Sequence, residues 1–331
     1  MVNLKPIKVL YFVCQRTSNY YYLWLKLEAL HQYLQILLLE IYASMIYLRP
    51  IGGICNRMRA IDSALTLCRK NNRNLTVLWV KEPTLNCSFK ELFLIPENEN
   101  FELIEYTNKL PVPCLKKINK VKAQNTKVNA VVENRELNKI YNSKEHVDTL
   151  TISEMDSIFY ANVKELINPI FDETKTHSYI SSCYRLCKIE DNYSSFAPTL
   201  DINEKVKNTV NNYNNTIGIH IRRSDHRTSI RYSPTSKFVK AIEDTLKDNY
   251  NASFFLSTDD KEAKENLLNK FGSKIIVNDI KSYDRSDASA IKDALTDLFC
   301  LSRTKKIYGS HHSTFSQLAS DIGGIKEITI K

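Results

Sequence analysis

Glycine is scarce in this chain: seven occur in 331 residues, at positions 52, 53, 218, 272, 309, 323 and 324. No stretch spells the dinucleotide fingerprint GxGxxG or the phosphate loop GxxxxGK[ST], which counts against a plain Rossmann dehydrogenase and a P-loop NTPase. Asp-x-Asp is absent as well. Without that acidic clamp, a bound diphosphate has to be held by arginines and helix ends rather than by a metal ion. Eight cysteines lie at 14, 55, 68, 87, 114, 183, 187 and 300. They lack the paired short spacing of a zinc module or a dense disulfide framework, so reduced, mostly buried thiols are expected. His311 and His312 are adjacent, so they point in different directions, and they have no evident third ligand; no metal site is expected.

What the chain does have is positive charge. Lys and Arg number 46 against 37 Asp and Glu, a formal net charge of +9. Such an excess favours an anionic partner, whether a nucleotide, a phosphorylated sugar, a nucleic acid or an acidic membrane surface. General composition drift in a chain rich in Lys, Asn, Ile and Tyr accounts for part of it. Hydrophobic and charged fractions of 43% and 25% are those of a globular protein, and the length suffices for two domains.

The N-terminal stretch 20 to 48 is unusually apolar, but Lys26, Glu28, His31 and Glu40 interrupt it. An amphipathic or core helix is therefore expected rather than a membrane span, which leaves membrane association allowed but not required. No small-residue cleavage pattern follows the short apolar run at 7 to 13, and a cytoplasmic setting is expected, with the secretory lumen as the alternative. Residues 1 to 44 are read as an extension of uncertain role, because the strand IYLRPI follows Met45 directly.

From about residue 205 the pattern turns regular. Strands are expected at 216 to 222, 252 to 258, 273 to 277, 305 to 309 and 326 to 330, with helices near 236 to 248, 260 to 271, 287 to 303 and 313 to 321. Alternation at this spacing means parallel strands joined by right-handed crossovers, hence a doubly wound sheet. Earlier in the chain, IYLRPI, the glycine turn with GGICNRMRAIDSALTLCRK, and TVLWV (76 to 80) form one βαβ unit. Residues 97 to 150 are polar, and 111 to 127 read as a basic loop. The fold class expected is α/β with a boundary near 203, giving domains at 45 to 203 and 204 to 331.

Four stretches carry candidate chemistry. GGICNRMRAI places Gly53, Asn56 and Arg57 where a strand ends and a helix begins, the edge at which open α/β sheets bind ligands; a plain tight turn is the simpler reading. In TIGIHIRRSD, alternation puts His220 and Arg222 on one face at the carboxyl end of a strand. A guanidinium there suits bidentate capture of a diphosphate, and Asp225 could fix one arginine; a solvated ion-pair turn is the alternative for Arg222, Arg223 and Asp225. In STDD, one of Asp259 and Asp260 caps a helix while the other could face the cleft. Finally, Asp297 lies on a helix that leads to a strand, Ser310, and the run Ser313, Thr314, Phe315 that opens another helix. Hydroxyls and free N–H groups there form a phosphate cradle, or Ser313 merely caps.

HIRRSD (220 to 225), STDD (257 to 260) and DLFCLSRTKKIYGSHHSTFSQLA (297 to 319), preceded by GGICNRMRAI, together resemble the fucosyltransferase superfamily of α1,6-fucosyltransferases, nodulation fucosyltransferases and protein O-fucosyltransferases. The resemblance covers about 46 to 93 and 216 to 322. It implies a GT-B-like architecture, two Rossmann-like domains facing a cleft. It also implies GDP-fucose as donor, with no cofactor, and inverting, metal-independent transfer of L-fucose to a hydroxyl of a glycan or other acceptor. By motif position, Arg222 looks like the arginine on the β-phosphate and His220 like the histidine at the ribose and diphosphate. Asp297 matches the aspartate that pairs with guanine, and Ser313, Thr314 and Phe315 fall where phosphate oxygens bind. Gly53 and Asn56 match the first-domain motif that reaches into the cleft, while Asp225 and Asp259 match acidic positions of varying role, and Asp225, with Arg222 a catalytic candidate, is by position a candidate for the general base. HRTSIRYSP, after HIRRSD, departs from the lysine-and-glutamate continuation of the α1,6 branch, so that linkage is not implied. Two other readings stand beside this one: a transferase for a different nucleotide sugar, and a basic nucleic-acid-binding protein using 111 to 127.

Overall fold

The computed structural model describes residues 45–96, 101–106, 128–143, 147–172, 177–188, 190–224, 226–280, 282–284 and 286–331. The N-terminal stretch, the basic segment 111 to 127 and Asp225 therefore fall outside the described residues.

In chain order the elements are β1 (Met45–Pro50), α1 (Ile54–Lys70), β2 (Asn74–Val80), β3 (Phe101–Tyr106), β4 (Val128–Val132), α2 (Asn134–Tyr141), α3 (Ile152–Phe171) and β5 (His177–Ser182). The second half adds α4 (Leu200–Val210), β6 (Thr216–Ile221), α5 (Arg227–Tyr232), α6 (Thr235–Asp248), β7 (Ser253–Thr258), α7 (Lys261–Phe271) and β8 (Ile275–Ile276). It closes with α8 (Ala288–Leu301), β9 (Lys306–Ser310), α9 (Thr314–Gly323) and β10 (Lys326–Ile330).

These strands make two five-stranded sheets, ordered β3-β2-β1-β5-β4 and β10-β9-β6-β7-β8. Every strand pair in them is parallel. Each sheet therefore reverses direction once beside its first strand, between β1 and β5 in one and between β6 and β9 in the other. A reversal of this kind opens a crevice at the carboxyl ends of the strands.

Helices cover β6 on both faces, which is why it reads as an almost unbroken apolar run and is buried along its whole length. Ile217, Ile219 and Ile221 pack with Phe238 and Ile242 of α6. On the opposite face Gly218 admits α8: a Cβ there would lie 2.8 Å from the Thr304 hydroxyl and 2.9 Å from Leu301. The scarce glycine at 218 is thus a packing requirement that draws helix and strand together. One apolar core runs from Ile46, Leu48 and Trp79 of the first sheet through Leu295, Leu298 and Leu318 of α8 and α9. The two sheets are joined by that core, and α9 also packs against α1 and α3.

The expected second-half elements are present with ends shifted by a few residues. The largest change is β8, which shrinks to two residues because a 3-10 turn at Gly272–Lys274 takes up its expected start. In the first half, β3, β4, α2 and α3 lie where the sequence reading recognised no elements. None of the six described cysteines is disulfide-bonded. Among the described residues no helix is long and apolar enough to cross a membrane.

Candidate functional site

A cavity of about 400 Å³ lies between the sheets, at both reversal points. From the first sheet it takes Gly53, Ile54, Cys55, Asn56 and Thr84; from the second, the ends of β6 and β7 and the start of α9.

The first wall depends on one buried arginine. Gly52 has φ +87°, a left-handed conformation that glycine adopts without strain, and a Cβ there would come within 3.1 Å of the Asn56 amide. Arg57 was read as a donor-binding residue, but the structure places it behind the wall rather than on it. Fully buried, its guanidinium donates to the carbonyls of Gly52 at 2.9 Å and Val80 at 2.7 Å. It also pairs with Glu82 at 3.4 Å and lies 4.7 Å over the Trp79 ring. Burial pulls its pKa down to about 10, with Glu82 opposing, so it stays a cation at neutral pH. Its work is to hold the turn that presents Gly53 and Asn56.

The second wall is a row of polar groups fixed by each other. His220 is opposite Gly309 and Ser257 in the ladders. Its Nε2 lies 2.9 Å from the Ser313 hydroxyl, and its ring stacks on Phe315 at 4.6 Å and 24°. Burial pushes its pKa down to about 4, against the pull of Asp259, so the imidazole is neutral at physiological pH. Ser313 caps α9, accepting from the Phe315 N–H, and also lines the cavity.

Arg222 reaches the cavity with its guanidinium on Asp259. Asp259 also accepts from the Arg223 N–H at 2.7 Å and from the Ser224 hydroxyl. The arginine is therefore held by Asp259; the expectation that Asp225 could fix one arginine falls outside the described residues. Asp260 is the helix cap, accepting from the Ala263 N–H at 2.6 Å.

Two further residues of the sequence-based set sit off the wall. Arg223 turns away and donates to the carbonyls of Arg222 and Ser233, both at 2.8 Å, and to the Thr235 hydroxyl at 2.9 Å. Ser310 is buried between strands, accepting from the Arg222 N–H at 2.9 Å and donating to the His220 carbonyl at 3.1 Å. Both act as fastenings, because the polypeptide turns sharply after β6 and its backbone groups need partners.

Asp297 occupies the deep end, 2% exposed, accepting 2.7 Å from the Asn278 amide. Burial raises its pKa to about 6, with Asn278 and Ser257 holding it down from a higher value. His226, His312 and Tyr283 also line the cavity. Sequence reasoning missed all three as site residues, since none sits in a strand-end pattern. Among the described residues no group of three or more His, Cys, Asp or Glu is placed to hold a metal ion.

The architecture, two parallel α/β sheets with a cleft between them, is that of the GT-B fucosyltransferases. The similar solved structures include a NodZ alpha-1,6-fucosyltransferase soaked with GDP-fucose, matched over 85% of this chain and 93% of that one at TM-score 0.56 and 14% identity. The same enzyme co-crystallised with GDP matches over 84% and 92% at TM-score 0.56 and 13% identity. Fucosyltransferase NodZ from Bradyrhizobium matches over 84% and 93% at TM-score 0.54 and 15% identity. At these identities the likeness is one of fold. No family model matches the chain, and no curated protein matches it in sequence.

Proposed function

We propose that the protein is a fucosyltransferase that moves L-fucose from GDP-fucose to a hydroxyl of a glycan or other acceptor, by inverting displacement without a metal ion. The observation that carries the reading is the meeting of Arg222, His220, Asp297 and the Ser313 end of α9 with Asn56 in one cavity at the carboxyl ends of both sheets. The shared fold with NodZ, soaked with GDP-fucose or crystallised with GDP, supports the choice of donor.

In this reading the diphosphate lies against Arg222, and the N-terminus of α9 offers free N–H groups to its oxygens. Asp297 takes the guanine base. Negative charge grows on the β-phosphate as the sugar–oxygen bond breaks, and a guanidinium pre-set by Asp259 stabilises that charge more than it does the ground state. His220 stays neutral, so it contributes hydrogen bonding rather than charge.

Thermal-shift measurement with GDP, UDP, ADP and GDP-fucose tests the proposal. A ligand that binds only the native state raises Tm. GDP and GDP-fucose are expected to raise it and UDP and ADP to leave it near the ligand-free value; equal shifts for all four would overturn the guanine reading. Release of GDP from GDP-fucose should proceed unchanged in excess EDTA.

A further inference from the structure

A carboxylate that reads a base binds it best when already turned toward it, because ordering a side chain on binding costs affinity. Asp297 is held by Asn278, just past the end of β8, whose amide Nδ2 donates to Asp297 Oδ1 at 2.7 Å. Ser257 of β7 gives the same carboxyl a second side-chain hydrogen bond. A carboxylate offers about four acceptor sites. Those bonds leave capacity for two more donors, as many as the N1–H and exocyclic amino group that guanine presents on one edge.

The amide is itself fixed from behind. Its oxygen accepts from the Thr209 hydroxyl of α4 at 2.7 Å, and its nitrogen also reaches the Cys300 sulfur of α8 at 3.7 Å. An ionised carboxylate only accepts, so the amide must turn its nitrogen to Asp297 and its oxygen to Thr209. The Asn278 carbonyl accepts from the Lys264 ammonium of α7 at 3.2 Å, which anchors the backbone as well. Three helices thus set one side chain. Among the described residues Asn278 stands outside the cavity lining, to which Asp297 belongs.

Resting on the donor reading above, we infer that Asn278 is a positioning residue for base recognition: through its bond to Oδ1 it fixes the Asp297 carboxylate in the orientation that receives the guanine edge. The same bond favours the charged form that the guanine donors need. Burial, with Asp293 on the same helix, raises the proton affinity of this carboxyl, while Asn278, Ser257 and Lys264 lower it. Cys300, Tyr213 and Tyr283 also act on it, and burial keeps all three protonated at neutral pH.

The test is calorimetry of GDP binding to the full chain. Asn278→Leu is expected to weaken binding at neutral pH by about tenfold or more, the scale of a lost hydrogen bond to a charged group. Without Asn278 the carboxyl holds its proton more tightly, so the gap from wild type should be widest near about pH 6 and narrow by about pH 8.5. In an Asp297→Ala background the same substitution should change affinity by less than about twofold, because the group it positions is gone. Thr209→Val, which keeps the amide but removes the donor that orients it, should show the same pH-dependent loss at about a few-fold. GDP affinity of Asn278→Leu close to wild type, a loss that is constant across that pH range, or a loss undiminished in the Asp297→Ala background would overturn the inference. If Asn278→Leu does not fold, a Thr209→Val protein that binds GDP as wild type does at every pH would overturn it equally. A wild-type protein that fails to bind GDP, or binds ADP as tightly, would instead sink the donor reading.

Discussion

The two walls of the cavity are built on different plans. On the β6 and β9 side, several polar groups fasten one another. Asp259 holds Arg222, Ser310 holds the backbone at His220 and Arg222, and Ser313 holds the His220 ring. On the β1 side a single buried cation, Arg57, holds a glycine turn, and the wall itself is sparse: Gly53, Ile54, Cys55, Asn56 and Thr84. The dense wall suits a ligand of fixed charge and shape, because pre-set groups need not reorganise as charge develops. In the proposed reading, the sparse wall faces the acceptor. Each lobe thus has an arginine at the cleft, Arg57 buried behind its wall and Arg222 lining the cavity.

Substituting those two arginines separates the roles. Arg222→Ala should cut turnover of GDP-fucose by about a hundredfold or more, with little recovery in Arg222→Lys, since a point charge cannot replace a planar fork. Its unfolding free energy should stay within about 1 kcal/mol of wild type, because a partly exposed ion pair adds little to stability. Kinetics and urea denaturation of the same variant measure both. Turnover within a few-fold of wild type would break the comparison. Arg57→Ala should do the reverse, costing about 1–3 kcal/mol for each buried acceptor left without a donor, the Gly52 and Val80 carbonyls among them. An Arg57→Ala protein as stable as wild type would show that the turn holds itself.

The same division explains what the sequence could reveal. The β6 to β10 half was legible because each element combines a buried apolar run with a nearby turn residue, and because alternation alone puts His220 on the face opposite Ile219. Which arginine faces a ligand was not legible. Arg57, Arg222 and Arg223 all stand beside strand ends, and only the placement of Val80, Asp259 and Thr235 decides among them. These partners are 23, 37 and 12 residues away in the chain. The first half was harder: β3 and β4 lie beside polar stretches, and α3 carries Pro169 within it, a residue that ordinarily marks a helix end. The adjacent histidines were read as pointing in different directions, yet their rings lie against each other, with centroids 4.4 Å apart at 49°.

The smallest effect expected concerns Asp297, and it sharpens the contrast because the dense wall must also desolvate its charge. Burial lifts this carboxyl from 3.8 to about 6. Between those values the native chain holds a proton that the unfolded chain has released. The unliganded protein should therefore lose this contribution to stability as pH rises through that window, the reverse of the usual carboxylate. Binding a guanine base reverses the preference, since its N1–H and exocyclic amino group need the ionised form as acceptor. GDP affinity should then fall by about tenfold for each pH unit below 6, beyond the titration of GDP itself. Asp297→Asn, which cannot titrate, isolates the effect: calorimetry at several pH values should show weaker binding than wild type at pH 7 and a gap that closes toward pH 5. A gap that stays constant across that range would place the guanine contact on some other group of the second wall.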